Sequence, residues 1–359
     1  MSIDWTAGMT QTFELVAVDA GTWTETGAVD LLEGATIARE DEGTRVSVDL
    51  DLGGELAQGY YRLYLIAEQD GEGERVALAT FLVTSCARSY DGRRSTWTAT
   101  GYSPLVELES DMPPIGWSVA DLDDATGVES WCRTIVGAHC RAPLGTVESG
   151  SDAVQATWVA GDDETWLDTL EGLLALASLH VTVDPLGRIG FARDADLAEC
   201  SPSVAFGDGG DGVACVLHPD LAIETETEDV PNVVEVVYSN DSVGCSCRAT
   251  DDSDAPTSTA SRGYTVLYRE TDPDLSDGLT AATVEQAVQD YADDLLAELT
   301  ARTVTLSYSH GFVPDVDVGS VVRLEYGAAG WRGNAVVTAQ TIECRPGLAV
   351  EETAELGEE

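Results

Sequence analysis

The clearest periodicity in the chain lies between residues 161 and 191. Apolar residues first recur at the spacing of one helix face, at Trp166, Leu170, Leu173, Leu174 and Ala177. Alternation then replaces this spacing on both sides of residues 184–187, where Pro185 and Gly187 suit the second and fourth positions of a type I turn. The segment predicts an amphipathic helix, with acidic residues 162–164 in its first turn, and a two-stranded hairpin. We expect this unit to pack and dock rather than to catalyse.

Residues 10–100 carry strand signals throughout. Apolar and polar positions alternate in short runs, which predicts strands at residues 12–18, 45–52, 60–67, 75–83 and 95–100. The glycine-containing segment 68–73 joins two of these strands into a hairpin. Several short strands separated by turns are typical of a small barrel or sandwich.

Helical and irregular segments follow. Residues 111–124 are rich in Asp and Pro and predict an exposed crossing, and residues 127–139 predict a short helix with Trp131, Ile135 and Val136 as its apolar contacts. The segment 207–212 is predicted to be a flexible acidic break.

The last third of the chain returns to strands around one long helix. The polar segment 239–261 predicts an exposed loop. We expect Thr283 and Gln286 to form a capping box for a helix that ends near residue 301, and the tail after Gly347 to be mobile. The helix face is predicted at Val284, Val288, Tyr291, Leu295 and Leu299. Strands are predicted at residues 232–238, 264–269, 303–309, 320–326 and 335–343.

These patterns predict a β-rich α+β fold. We expect four segments: a first barrel domain, an α+β domain with the helix and hairpin, β segments with a long acidic loop that complete the first barrel, and a helix with the closing strands of a second barrel-like domain. Their bounds are residues 1–100, 101–200, 201–272 and 273–359.

The net charge restricts the possible functions more than the hydrophobic content does. The 18 basic residues are all arginine and face 65 acidic residues, so the net charge is 18 − 65 = −47, while the hydrophobic content of 43% is ordinary. Such a charge repels phosphates and anionic membranes, which excludes a role in gripping duplex DNA. Solubility, or a setting of high salt, accounts for most of the acidic residues.

No segment predicts export or membrane insertion. The first five residues lack a basic and apolar leader, and no stretch reaches the roughly 20 apolar residues of a span. We therefore expect a protein made in the cytoplasm of the cell that produces it, where its eight cysteines are free thiols.

Four groups of residues are candidate metal ligands. Cys245 and Cys247 form an isolated C-x-C pair in the predicted loop. Cys132 and His139 of the predicted helix, with Cys140 directly after it, form a mixed cluster. The segment 207–212, and Asp272, Asp274 and Asp277, have carboxylates for calcium but lack EF-hand spacing. Plain turns and buried thiols or histidines are the commoner explanation, and we predict no metal.

Catalytic motifs are absent from the sequence. The histidines at positions 139, 180, 218 and 310 have neither metal-protease spacing nor a neighbouring nucleophile motif. Carboxylates are so abundant that no acid/base pair stands out. We predict no catalytic, cofactor-binding or metal-binding residues, no cofactor and no enzyme activity.

The order of several segments resembles that of phage tail baseplate or tail-tip hub proteins. The N-terminal part of that family is similar to YRLYLIAE (61–68), GERVALATFLV (73–83) and GYSPL (101–105). Its central part resembles WVAGDDETWL (158–167) followed by DPLGR (184–188). Its closing strands are similar to the helix 283–301 followed by VDVGSVV (316–322).

This resemblance implies a non-enzymatic virion protein at the tail tip. Three copies would form a ring in which each subunit contributes two tube-type barrels. The resemblance also implies contacts with the distal tube ring protein, the tape-measure protein and tip proteins, with DNA passing through unbound. We expect no added peptidase or lysozyme domain.

Two other functions are compatible with the sequence. A non-viral β-sandwich adhesin or ligand-binding module predicts a stable monomer with glycan affinity. A carboxylate-dependent hydrolase predicts a deep pocket with a carboxyl pair of strongly displaced pKa.

Overall fold

A computed structural model describes most of the chain. It covers residues 3–5, 7–120, 122, 125–151, 157–193, 200–208, 216–225, 230–239, 243–271, 273, 275, 279–300 and 304–356. The chain divides into two compact units, one made of Met1–Leu221 with Ser307–Ala354 and the other of Ala222–Leu306 with Glu355–Glu359.

Strands dominate both units. They are β1 Thr10–Val18, β2 Glu25–Val29, β3 Leu32–Glu40, β4 Val46–Leu52, β5 Gly59–Gln69, β6 Glu72–Tyr90, β7 Ser95–Tyr102, β8 Ser118–Ala120, β9 Leu144–Val147, β10 Thr157–Val159, β11 His180–Val183, β12 Ile189–Ala192, β13 Val204–Gly207, β14 Val216–Thr225, β15 Val233–Ser239, β16 Gly244–Thr250, β17 Leu267–Thr271, β18 Val304–Gly311, β19 Val321–Tyr326, β20 Trp331–Cys344 and β21 Ala349–Glu355. The helices are α1 Val106–Glu109, α2 Ala125–His139, α3 Trp166–Ala175, α4 Thr259–Arg262 and α5 Val284–Thr300. The predicted β-rich α+β class is confirmed.

Strands from both ends of the sequence share the largest sheet. Its order is β14-β18-β21-β20-β3-β4-β7-β6-β5-β1-β2, with β19 paired to β20 and β13 to β19. Ile37 of β3 lies opposite Val48 on one side and Ile342 on the other. All three side chains are fully buried, so the N-terminal and C-terminal strands complete one hydrophobic core.

The predicted helix and hairpin are confirmed as α3, β11 and β12. Val181 pairs with Phe191 across the hairpin, and both are buried. The expected start of the helix is wrong, because residues 162–164 precede it. Thr165 is the N-cap instead: its hydroxyl accepts from the Asp168 amide, and the Asp168 carboxylate accepts from the Thr165 amide. This reciprocal pair satisfies two amide groups that an uncapped helix would leave without partners.

The second unit packs α5 on a small sheet of order β16-β15-β17. Val284, Val288, Ala292 and Leu296 are the buried face of α5, with the predicted Tyr291, Leu295 and Leu299 partly buried beside them. The predicted loop 239–261 is wrong, since it contains β16 and α4. The predicted strand 264–269 begins only at Leu267.

The predictions of a capping box at the start of α5 and of a mobile C-terminal tail are both wrong. The amide of Thr283 donates to Thr280 O, and Gln286 bonds Asp290 instead, so the predicted capping box is not formed. The expected mobile tail contains β21, whose residues Val350, Glu352 and Ala354 are buried. None of the helices in the described ranges is long and apolar enough to cross a membrane.

Candidate functional site

A cleft of about 700 Å³ lies beside the hairpin β11–β12 in the first unit. Its walls are the hairpin, the end of β3 with its turn into β4, and residues 317–320 with the neighbouring part of β20. Four of the 18 arginines line it, namely Arg39, Arg45, Arg188 and Arg193. The cleft therefore has an unusual share of the few positive charges in the chain.

Carboxylates of the same unit neutralise most of these arginines. Arg39 Nη1 lies 3.0 Å from Asp317 Oδ1, and Arg188 Nε lies 2.6 Å from Asp184 Oδ2. Arg45 pairs with Glu171 at 2.9 Å. These pairs position the walls of the cleft and leave little free positive charge for an anionic ligand.

The hairpin turn is held against the main sheet through its own carbonyl groups. Leu186 O accepts from Trp23 Nε1 and from Arg62 Nη2, each at 2.9 Å. Pro185 O accepts from Thr80 Oγ1 at 2.9 Å. Gly187 closes the turn with a φ of +73°, and a Cβ added there would lie 2.7 Å from Thr80 Cβ. Only glycine fits both the backbone angle and this close approach.

A buried polar network crosses the sheet next to the cleft. Glu352 Oε2 accepts from the Tyr308 hydroxyl at 2.6 Å and lies 3.1 Å from His310 Nε2. Its Oε1 accepts from Gln340 Nε2 at 2.6 Å, and Gln340 Oε1 accepts from Arg39 at 2.9 Å. All five side chains are buried. The network therefore joins β3, β18, β20 and β21 within the core.

Hydrogen bonding keeps the Glu352 carboxylate charged despite its burial. Burial alone raises its pKa, but His310, Tyr308 and Gln340 together lower it below the ordinary value. Phe206 stacks on the His310 ring with centroids 4.0 Å apart. These surroundings are suited to keeping the Glu352 side chain ionised in the core. They do not suit a general acid, which must hold a proton in order to donate it.

The C-x-C pair lies on strand β16 rather than in a loop. Cys245 Sγ and Cys247 Sγ are 3.4 Å apart, and the Cys247 thiol donates to Glu285 O at 3.4 Å. Burial, and then the neighbouring Cys245, raise the pKa of Cys247 to about 11. The thiol is therefore protonated at neutral pH, a form that binds metal poorly.

The members of the mixed cluster of Cys132, His139 and Cys140 lie in different surroundings. Cys132 is fully buried, and the Cys140 thiol donates to Pro104 O at 3.5 Å. The His139 ring stacks on Trp166 with centroids 4.0 Å apart. Among the described residues, no group of three or more His, Cys, Asp or Glu side chains is arranged to hold a metal ion.

Most of the candidate calcium ligands, namely residues 209–212 with Asp272, Asp274 and Asp277, lie outside the described residues. Cys215 and the side chain of His218, which were not among those candidates, also lie outside them. Asp208 is described, and its carboxylate accepts from the amides of Gly327 and Ala328 at 2.9 and 2.7 Å. That carboxylate has a structural partner in a short 3₁₀ turn.

Comparisons with solved structures identify the fold. A tail protein from Neisseria meningitidis MC58 matches 96% of this chain and 96% of its own, with a TM-score of 0.64 and 13% identity. The 43 kDa tail protein of prophage MuSo2 from Shewanella oneidensis matches 95% of this chain and 97% of its own, with a TM-score of 0.60 and 13% identity. A chain of the Francisella PdpA-VgrG complex matches 97% of this chain over 58% of its own, with a TM-score of 0.55 and 6% identity.

Sequence comparison adds no further relative, because no family model and no curated protein matches the chain. The resemblance that its segments indicate is confirmed by the structural matches at the level of the fold.

Proposed function

Because the chain has the fold of phage tail proteins, we propose that it is a structural component of a phage tail, made in the host cytoplasm and built into the tip or baseplate as its hub. The observation that carries this proposal is the match along nearly the whole length of two tail proteins, with 96% and 97% of their chains covered. A match of that extent includes both the main sheet and the inserted elements.

In this proposal three copies form a ring that joins the tube to the tip. The neighbours are the distal tube ring protein, the tape-measure protein and tip proteins, as the resemblance to hub proteins implies. Strand β2 supports a role in assembly, since in the described part of the chain it pairs with β1 alone and its residues are largely exposed. A free sheet edge is a natural site for contact with another chain.

The proposed hub has no catalytic activity and lets DNA pass unbound. Within the described ranges, every carboxyl group whose pKa departs from the ordinary value has a lowered pKa, as Glu25 and Glu352 do. A general acid needs the opposite displacement. The net charge of −47 opposes contact with phosphates, so a mobility-shift assay with duplex DNA at low salt is expected to show no complex.

Particle mass tests the ring directly. Mass photometry of the purified chain is expected to show particles of three 38.0 kDa subunits, and negative-stain images are expected to show a ring with a central hole. A chain that stays monomeric at all concentrations and salt levels would overturn the proposed hub.

A further inference from the structure

A basic hairpin arm extends from the main sheet. The arm consists of residues 84–97, the end of β6, its turn and the start of β7. Pairing of β6 with β5 ends at Val83, and pairing of β7 with β4 ends at Trp97. Beyond these points the two strands pair only with each other in the described structure, as far as Tyr90 opposite Ser95. All residues of the arm are exposed except Cys86 and Trp97, which are half-buried.

The end of the arm has a fixed shape. One carboxylate oxygen of Asp91 accepts from the amides of Arg93 and Arg94, both at 2.8 Å. The Asp91 amide donates to Arg94 O at 3.2 Å and closes the turn. Arg88 donates to Ser95 Oγ across the ribbon. The backbone of the turn is therefore fixed before binding, which lowers the entropy cost of ordering it in a complex.

The charge of the arm is opposite to that of the chain. Arg88, Arg93 and Arg94 face one acid, Asp91, so the arm carries 3 − 1 = +2 within a protein of net charge −47. Most other described arginines have a carboxylate partner, but in the described structure the side chains of Arg93 and Arg94 have none. Where acids outnumber bases so heavily, two unpaired arginines side by side require an explanation.

We propose that the basic arm docks on an acidic surface of a second copy of this chain. A second copy supplies carboxylates in excess, and the fork of an arginine binds carboxylates in a bidentate manner. Tyr90, 67% exposed beside the turn, adds a rigid aromatic contact of the kind that dominates interfaces. A contact between two different surfaces of identical subunits is the geometry that closes rings.

Duplex DNA fits the arm less well than a second copy does. Three arginines neutralise only a few phosphates, and the rest of the chain repels a polyanion. A carboxylate surface, by contrast, is present on every copy in the same solution. The inference rests on the self-assembly contained in the proposed function and names the contact responsible for it.

Matched charge reversals on the full chain test the inference. Arg93→Glu/Arg94→Glu lowers the net charge by four, and so does the control Arg248→Glu/Arg345→Glu, which reverses two exposed arginines elsewhere. Both variants therefore carry the same general repulsion. Over a dilution series in mass photometry, we expect the arm variant to raise the dissociation constant roughly tenfold or more and the control to change it by less than about threefold. Equal effects of the two variants would overturn the proposed contact.

A second measurement does not depend on variant stability. A photocrosslinking residue at position 90, in mixed heavy-isotope and light copies, is expected to join the arm to an acid-rich peptide of another copy. Crosslinks only within one copy, or loss of DNA binding as the main effect of the arm variant, would refute the inference. A monomeric wild type would instead refute the ring, whereas an unchanged oligomer in the arm variant would refute the arm contact alone.

Discussion

Arg62 and Leu186, which are 124 residues apart in sequence, are joined by a hydrogen bond of 2.9 Å from Nη2 to the carbonyl oxygen. Arg62 is itself buried and also donates to Thr80 Oγ1 at 2.7 Å, so that one side chain organises both the sheet and the turn it holds. The inserted hairpin is thus attached through backbone oxygens, which makes its attachment depend on turn geometry rather than on hairpin side chains.

Gly187→Ala is expected to destabilise the first unit by about 2–4 kcal/mol. The positive φ strains any residue with a Cβ, and the new atom would also collide with Thr80. Gly330→Ala is the control, because Gly330 has nearly the same φ of +70° but open space around its Cβ. Urea unfolding should show the larger loss for Gly187→Ala, and equal losses would contradict the role of the close approach.

Glu352→Gln is expected to lower the free energy of unfolding by about 2 kcal/mol at pH 7, since it removes a charged acceptor from a buried network. The pKa of Glu352 is lowered in the folded protein, so its contribution is complete above the unfolded pKa of about 4.3 and is lost as the pH falls through the folded value. Wild-type stability should therefore fall more steeply than that of the variant below about pH 4.3. The exposed neighbour Glu351 supplies the control, Glu351→Gln, which is expected to behave as wild type.

Thiol reactivity should follow burial. Burial raises the pKa of Cys132 and of Cys344 to about 12, so at pH 8 only about one in 10⁴ of these groups is a thiolate. Cys200 is exposed. With iodoacetamide at pH 8, peptide mass spectrometry should find Cys200 modified first, and Cys132 and Cys344 only after unfolding. Rapid modification of Cys132 in the folded chain would contradict the buried environment.

Thr165→Ala is expected to lower the free energy of unfolding by about 1 kcal/mol, because it removes the hydroxyl that accepts from the Asp168 amide at the start of α3. Thr165→Ser keeps that hydroxyl and should retain most of the stability. Thermal unfolding of the three proteins measures the difference. Identical melting of Thr165→Ala and wild type would show that the cap contributes nothing.

Local patterns predicted the elements whose large apolar side chains face one core. The unit α3–β11–β12 and helix α5 are of this kind, because their periodicity is contained in the sequence of each element. The pattern does not predict strand β16, because its inward residues, Cys247 and Ala249, are small and its outward residues are polar. Small buried side chains give little hydrophobic contrast.

The buried network and the cleft had no local signal at all. In the sequence, nothing distinguishes Glu352 from the other acidic residues, of which there are 65 in all. Only the pairing of distant strands places it beside His310 and Gln340. Isolated strand patterns specify which face is buried but not which strands become neighbours. The walls of the cleft come from three remote segments for the same reason.

The pairing of β3 with β20 imposes an order of events during synthesis. Arg39 and Gln340 are 301 residues apart. At a synthesis rate of roughly 5–20 residues per second, one edge of β3 stays unpaired for about 15–60 s before β20 has been synthesised. During that interval the nascent chain carries an open strand edge next to Ile37, a template for mispairing. Mutual repulsion between acidic nascent chains opposes such mispairing between two unfinished copies.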